Sequence, residues 1–253
     1  MRLLVLPDVH GLPTWRDVLA AEPAPDHVVF LGDYFDAFDV DVPAQLANFE
    51  AVLDFAAGDP ARVTLLLGNH DYHYLDGVHE RYSGYSFKTQ RALIGRLEPL
   101  VRDGVLRAAF AADGRLYTHA GVTRTWAEDW ELARFRAPDS AAVGPEAPDW
   151  TPASAAAALD ALLVAHPAAY AYQPPPEGRL NDPYGDRPWQ GPLWVRPRSL
   201  IADALVEGQI VGHTVLPKGQ AIAPHPVAFS TDALWDGQYL VVEDGVALPR
   251  RLS

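Results

Sequence analysis

Along the first third of the chain, short apolar runs alternate with stretches in which apolar residues recur every three or four positions. Leu3 to Leu6, His27 to Leu31 and Arg62 to Leu67 are too short for helices and rich in branched aliphatic residues, which predicts strands. Thr14 to Glu22 and Pro43 to Ala57 carry helical spacing, with Thr14 placed to cap the first. The resulting β-α-β-α-β order implies parallel strands joined by right-handed crossovers. Each strand runs into a polar cluster: PDVHG, GDYFD and GNHD. Ligands of open α/β sheets lie beyond the carboxyl ends of the strands, so the three clusters should meet along one edge.

Further along, Arg115 to Thr118 predicts another strand, which leads into THAGV. From Trp126 to about Gly191 the chain becomes rich in Ala, Pro and Trp, with one helical candidate at Ala153 to Ala165. The stretch QPPPEGRLNDPYGDRPWQGP is turn and polyproline chemistry. Residues 126–198 are therefore expected to form a cap or elaborated loop region within a single domain spanning 1–253. Strands return at Gln209 to Val211, Val227 to Ser230 and Gln238 to Val242, the last two separated by a turn around Asp236-Gly237.

Composition narrows the chemistry. With 253 residues, 49% of them hydrophobic, the chain can bury a substantial core. A net charge of −13 argues against a broad basic face for nucleic acid and favours a small or local substrate. Cysteine is absent, so a metal would have to sit on oxygen and imidazole. The opening MRLLVLPDVH lacks the apolar core of a signal peptide, and no stretch approaches the roughly 20 apolar residues of a membrane span. The expectation is a soluble, cytoplasmic protein with no membrane partner.

Asp8 and His10 stand two residues apart after the first strand, and in extended chain such a pair shares one side. Asp33, Asn69, His70, His119 and His213 each follow a strand in turn. One such residue alone is most simply a turn former or helix cap. The ordered set is different, because carboxylate, amide oxygen and imidazole together suit Mn²⁺, Fe or Zn²⁺.

The motifs DxH, GDxxD, GNHD, THAG and GHT, in this order and at strand ends, resemble the signature of the calcineurin-like metallophosphoesterases. The resemblance is strongest to the branch containing phosphoprotein phosphatases and diadenosine tetraphosphatases. It implies a four-layer α/β/β/α fold, two mixed sheets flanked by helices. It also implies two divalent metal ions, Mn²⁺ foremost with Fe or Zn²⁺ as alternatives, and water activated between them. Asp8, His10 and Asp33 would hold the first ion, with Asp33 bridging to a second held by Asn69, His119 and His213. His70 would be the general acid and Asp36 its carboxylate partner. Arg196, in LWVRPRSL, would bind phosphate, with Arg124 and Arg198 as weaker candidates.

Two departures stand out. Relatives outside this branch read GHxH, whereas this chain reads GHTVL, with Val215 in place of the second histidine. The phosphatases continue GDxxD with Arg and Gly, where this chain has Ala37 and Phe38, so one phosphate clamp is lost. His73 and His79 are expected to decorate a loop or helix face, and the tryptophans from Trp126 to Trp194 to serve packing. The implied activity is hydrolysis of a phosphate monoester, on a phosphoprotein or a small phosphorylated molecule. A pyrophosphohydrolase acting on dinucleoside polyphosphates is the alternative. A noncatalytic metal-binding scaffold is a third reading, whose mark would be a damaged ligand set or a missing general acid.

Overall fold

A computed structural model of the chain describes residues 1–22, 24–136, 150–173 and 185–252. The first half supplies β1 (Arg2–Leu6), α1 (Thr14–Ala21), β2 (His27–Phe30), α2 (Val42–Gly58), β3 (Val63–Leu66) and α3 (Asn69–Tyr72). There follow α4 (Phe87–Leu93), α5 (Leu97–Arg102), β4 (Leu106–Arg107), β5 (Ala109–Ala112), β6 (Arg115–Thr118) and α6 (Arg124–Asp129). The second half adds α7 (Pro152–Ala165), α8 (Pro197–Asp203), β7 (Gln209–Val211), β8 (Ala228–Ser230), β9 (Gln238–Glu243) and β10 (Val246–Arg251).

Two mixed sheets result. One has the order β10-β9-β1-β2-β3-β4, the other β5-β6-β7-β8. In the first, β1 to β4 run parallel while β9 and β10 are antiparallel additions; in the second, β6, β7 and β8 run parallel. Period-two alternation builds the layers. Leu3 and Val5 of β1, Val29 of β2 and Leu240 and Val242 of β9 share a buried cluster with Tyr117, Ile210 and Phe229 of the second sheet. Their neighbours Leu4, Leu6, Val28, Phe30 and Val241 face the other way, into a cluster with Trp15, Phe49 and Val52 of α1 and α2. Helix α7 lies on β5 and β6, burying Ala155, Ala158, Leu159 and Leu162. This is the α/β/β/α sandwich.

Local details refine the sequence reading. Pro13, with its fixed φ, occupies the N-cap of α1, so Thr14 is the first helical residue and caps nothing. Asp41 caps α2, accepting from the Ala44 amide at 2.8 Å. Strands β8 and β9 do not form a hairpin: they belong to different sheets, and the Leu234–Asp236 turn with Gly237 carries the chain from one to the other. Strand β9 instead adds beside β1, where its continuous apolar run is buried on both faces. Asp160 of α7 ties that helix to the sheets, accepting from the Ala108 and Ala109 amides and pairing with Arg107. The proline-rich stretch falls largely outside the described residues. No helix among the described residues is long and apolar enough to cross a membrane.

Candidate metal centre and active site

The polar residues that follow the parallel strands of both sheets gather in and around one cavity. Asp8 and His10 follow β1, Asp33 and Asp36 follow β2, and Asn69 and His70 open α3 after β3. His119 follows β6 and His213 follows β7. Four of these residues adopt left-handed backbone: His10 (φ 43°), Asp33 (53°), Asp36 (66°) and His213 (61°). That conformation costs an L residue about 1–2 kcal/mol. It turns the chain after β1, β2 and β7, so His10 is placed by this turn and not by strand alternation with Asp8.

The carboxylates sit in close-fitting seats. A Cβ on Gly68 would overlap Asp33 Oδ1, and one on Gly212 would overlap Asp8 Oδ1, so each glycine is required by approach of the neighbouring acid. Both oxygens of Asp8 accept from the His213 amide, at 3.1 and 2.9 Å. Asp33 Oδ1 accepts from the His70 amide at 2.8 Å. Beneath them Asp71, fully buried, accepts from the amides of Gly68 (2.8 Å), Asp33 (2.9 Å) and Tyr34 (2.7 Å) and so locks the second and third loops together.

The histidine tautomers are set by the backbone. His10 Nδ1 donates to the Phe35 carbonyl at 2.7 Å and His119 Nδ1 to that of Leu31 at 2.9 Å, because a carbonyl can only accept. The Nε2 atoms of both rings are left to face the same oxygen, Asp33 Oδ2, at 3.7 and 3.5 Å. Asn69 Oδ1 lies 2.9 Å from His119 Nε2 and 2.8 Å from His213 Nδ1. Burial lowers the pKa of His119, and burial together with His119 lowers that of His213 well below its usual range, so both favour the neutral form. His119 Nε2, Asn69 Oδ1 and Asp33 Oδ2 therefore offer lone pairs to one another with no proton to share. A cation is the partner such an arrangement suits. Asp8, Asp33 and His119 each place one ligand atom within 4.8 Å of the others, as do Asp36, His70 and His73 in a second group. In the second group Asp36 is already hydrogen-bonded by His70 and by the Tyr74 hydroxyl. The Tyr82 amide donates to His73 Nδ1 at 3.3 Å, which leaves the His73 proton on Nε2, 2.7 Å from Asp36 Oδ2.

Residues 1–214 match the family model described as calcineurin-like phosphoesterase. The chain belongs to the calcineurin-like phosphoesterase family. It is thus a metal-dependent phosphoesterase. Among solved structures it is similar to a mutant of a cold-active protein tyrosine phosphatase, at 19% identity and TM-score 0.54 over 98% of this chain and 80% of that one. It is also similar to a Saccharomyces cerevisiae protein serine/threonine phosphatase with similarity to human phosphatase PP5, at 13% identity and TM-score 0.54 over 100% and 80% of the two chains. These likenesses concern the fold. No curated protein sequence matches the chain.

The site of this calcineurin-like phosphoesterase opens into a cavity of about 420 Å³. Asp8, His10, Asp33, Asn69, His70 and His213 line it together with Tyr82, Tyr172, Trp194 and Arg196. Arg196 donates to Thr214 Oγ1 at 3.4 Å. Arg124 is not brought here: it lines a separate cavity beside Glu128 and Glu131. Arg198, exposed on α8, does not line the cavity either.

The electrostatics are those of a site built for positive charge. Burial, Asp232 and Asp33 raise the Asp8 pKa well above the carboxylate range. Burial and Asp33 push Asp232 up to about 7 and Asp71 up to about 8. Asp33 itself is lowered: burial opposes this, but His119, His70 and His10 prevail. Burial likewise pulls His70 down, yet Asp33 and a 3.0 Å hydrogen bond to Asp36 raise it to about 9.

Three residues escaped the sequence reading. His73 is buried against Asp36, where a surface position was expected; it caps the C-terminal end of α3, three residues after His70, and that spacing was the available signal. Tyr74 donates from its hydroxyl to Asp36 Oδ1. Asp232, two residues beyond β8, lines the cavity and stands after its strand as His213 does after β7. The tryptophan expectation holds for Trp126, which is fully buried, while Trp194 also lines the cavity.

Proposed function

We propose that this calcineurin-like phosphoesterase hydrolyses phosphate monoesters, of a phosphoprotein or a small phosphorylated molecule, and that it does so in the cytoplasm. The observation that carries this reading is the convergence of His10 Nε2 and His119 Nε2 on the one oxygen Asp33 Oδ2. It supports Asp33 as a bridge between two divalent ions, one with Asp8 and His10, the other with Asn69, His119 and His213. Hard and borderline oxygen and nitrogen donors favour Mn²⁺, with Fe or Zn²⁺ as alternatives. Two such ions, when bound, supply Lewis-acid polarisation of the phosphoryl oxygens and a water acidic enough to ionise near neutral pH.

The chain's own residues do the rest. His70 has Nδ1 held by Asp36, so Nε2 is the atom left to deliver a proton to the leaving oxygen. The nearby acids keep that proton on the ring. Arg196, which lines the same cavity, would bind phosphate oxygens with its planar fork. Residues 126–198 would form the elaboration that carries substrate selectivity, all within one domain.

Release of orthophosphate from an aryl phosphate monoester with Mn²⁺ present, abolished by a chelator, is the expected result. Absence of turnover with two ions bound would favour a noncatalytic scaffold instead. One observation favours the second reading, a pyrophosphohydrolase of dinucleoside polyphosphates: Trp194 lies 4.2 Å from Tyr82 and 6.0 Å from His213 between ring centroids, which suits a flat base. Products separate the two, since diphosphate cleavage releases nucleotides.

A further inference from the structure

We propose that Asp232 is a further metal ligand, supplying an oxygen to the ion held by Asp8 and His10. The inference rests on the two-ion reading above and adds a donor which the motifs do not contain. Asp232 is 2% exposed, lines the same cavity as Asp8, His10 and Asp33, and has an oxygen, Oδ2, with no hydrogen-bond partner among the described residues. A buried carboxylate oxygen left unpaired is costly, because desolvation is not offset by any donor. It also faces like charge from Asp33, partly offset by His70 and Arg196, and it is the foremost charged influence on Asp8. A divalent ion among these acids would turn repulsion into coordination.

Topology points the same way. β6, β7 and β8 are consecutive parallel strands, and the residues just beyond their carboxyl ends are His119, His213 and Asp232. The β8 loop is clasped to the β7 loop by the Thr231 amide to the Val211 carbonyl (2.8 Å) and the Leu216 amide to the Asp232 carbonyl (2.9 Å). Between those two clasps stands Val215, 59% exposed, which also lines the cavity and offers no donor. Asp232 is the donor that this side of the cavity presents. Three carboxylates against two divalent ions then leave a formal charge of about +1 instead of about +2, and the first position becomes richer in oxygen, which favours Mn²⁺ over Zn²⁺.

The test is titration of chelator-treated protein with Mn²⁺ alone, by calorimetry and by elemental analysis, for wild type, Asp232→Asn and Asp232→Ser. The expected result is two equivalents in wild type and, in both variants, one equivalent weakened about 10–100-fold, the scale seen when a metal site loses a supporting donor. Relative preference for Zn²⁺ should rise in the variants, while the melting temperature without metal should not fall, since a buried acid with an unpaired oxygen has been removed. Wild-type affinity for both equivalents in a folded variant would overturn the role of Asp232 alone. Failure of wild type to bind two ions would overturn the two-ion reading with it. If Asp232→Asn does not fold, Asp232→Ser decides.

Discussion

His73 Nε2 stands 2.7 Å from Asp36 Oδ2, the same oxygen that His70 Nδ1 meets at 3.0 Å. Asp36 is hydrogen-bonded by His70 at Oδ2 and by the Tyr74 hydroxyl at Oδ1, with His73 Nε2 close beside Oδ2, and its carboxyl stays below the usual range although burial pushes it up. His73 in turn is fixed by the Tyr82 amide and by a parallel stack on the Tyr82 ring. His70, the proposed proton donor, thus rests on Asp36 and on the buried side chains packed around it.

Replacement of His73 should therefore act through Asp36. His73→Ala is expected to lower kcat about 10-fold with KM and metal content little changed, the usual size of an effect transmitted through a supporting hydrogen bond. His73→Gln, which keeps a donor, should recover part of it. A purely structural role would instead lower stability with no selective loss of kcat and no recovery by Gln.

His70 is tested by leaving-group dependence. His70→Ala should cost about 10²–10⁴ in kcat on substrates with poor leaving groups, much less on aryl phosphates, and should leave the metal ions bound. Asp33→Ala, by contrast, should empty both positions. Full turnover of a poor leaving group by His70→Ala would remove its assigned role.

Without metal, stability should fall as pH rises. Asp232 and Asp71, raised to about 7 and 8 in the folded protein, contribute stability that is present at low pH and lost as they ionise through those values. His70, raised to about 9, is lost in the same direction at the upper end. Asp33 and Asp36 have lowered values and the opposite sign, so their contribution disappears only in acid, below this window. Chelated protein should melt at least about 5 °C lower at pH 8.5 than at pH 5.5, taking about 2–4 °C per kcal/mol for a chain of this size. Metal-loaded protein should show a smaller fall, as scanning calorimetry can measure.

Gly212 carries a prediction of its own. In Gly212→Ala the new methyl would occupy the space of Asp8 Oδ1, so Asp8 must move or the loop must shift. A loss of about 1–3 kcal/mol is expected in unfolding experiments, with weakened Mn²⁺ binding. Gly219→Ala is a fair control for crowding: nothing lies within 4 Å of that position, although its φ of 77° carries a backbone cost of its own.

Most of the candidate site could be read in one dimension because its parts are local. GDYFD and GNHD each follow a strand whose apolar run is visible, and the loop residues after it have few other reasons to be Asp, Asn and His in that order. His73 was misread because its burial at the end of α3 depends on Tyr82, Tyr74 and Asp36, which reach it from other turns of the chain. Arg124 was overvalued for the same reason: proximity to THAGV in sequence does not carry it to the cavity.

Hydrophobic periodicity and the order of strand-end motifs alone determined the parallel β-α-β core and a set of residue types that suits a metal, since these follow from interactions within a few residues, whereas the two-sheet class came from the family resemblance. Tertiary structure decided the rest. It sent β8 and β9 to different sheets, set two imidazole nitrogens against one oxygen of Asp33, and brought the His213 amide onto Asp8 across 205 positions. Such contacts depend on how two sheets stack and where their loops meet, and no local pattern of side chains encodes that distance.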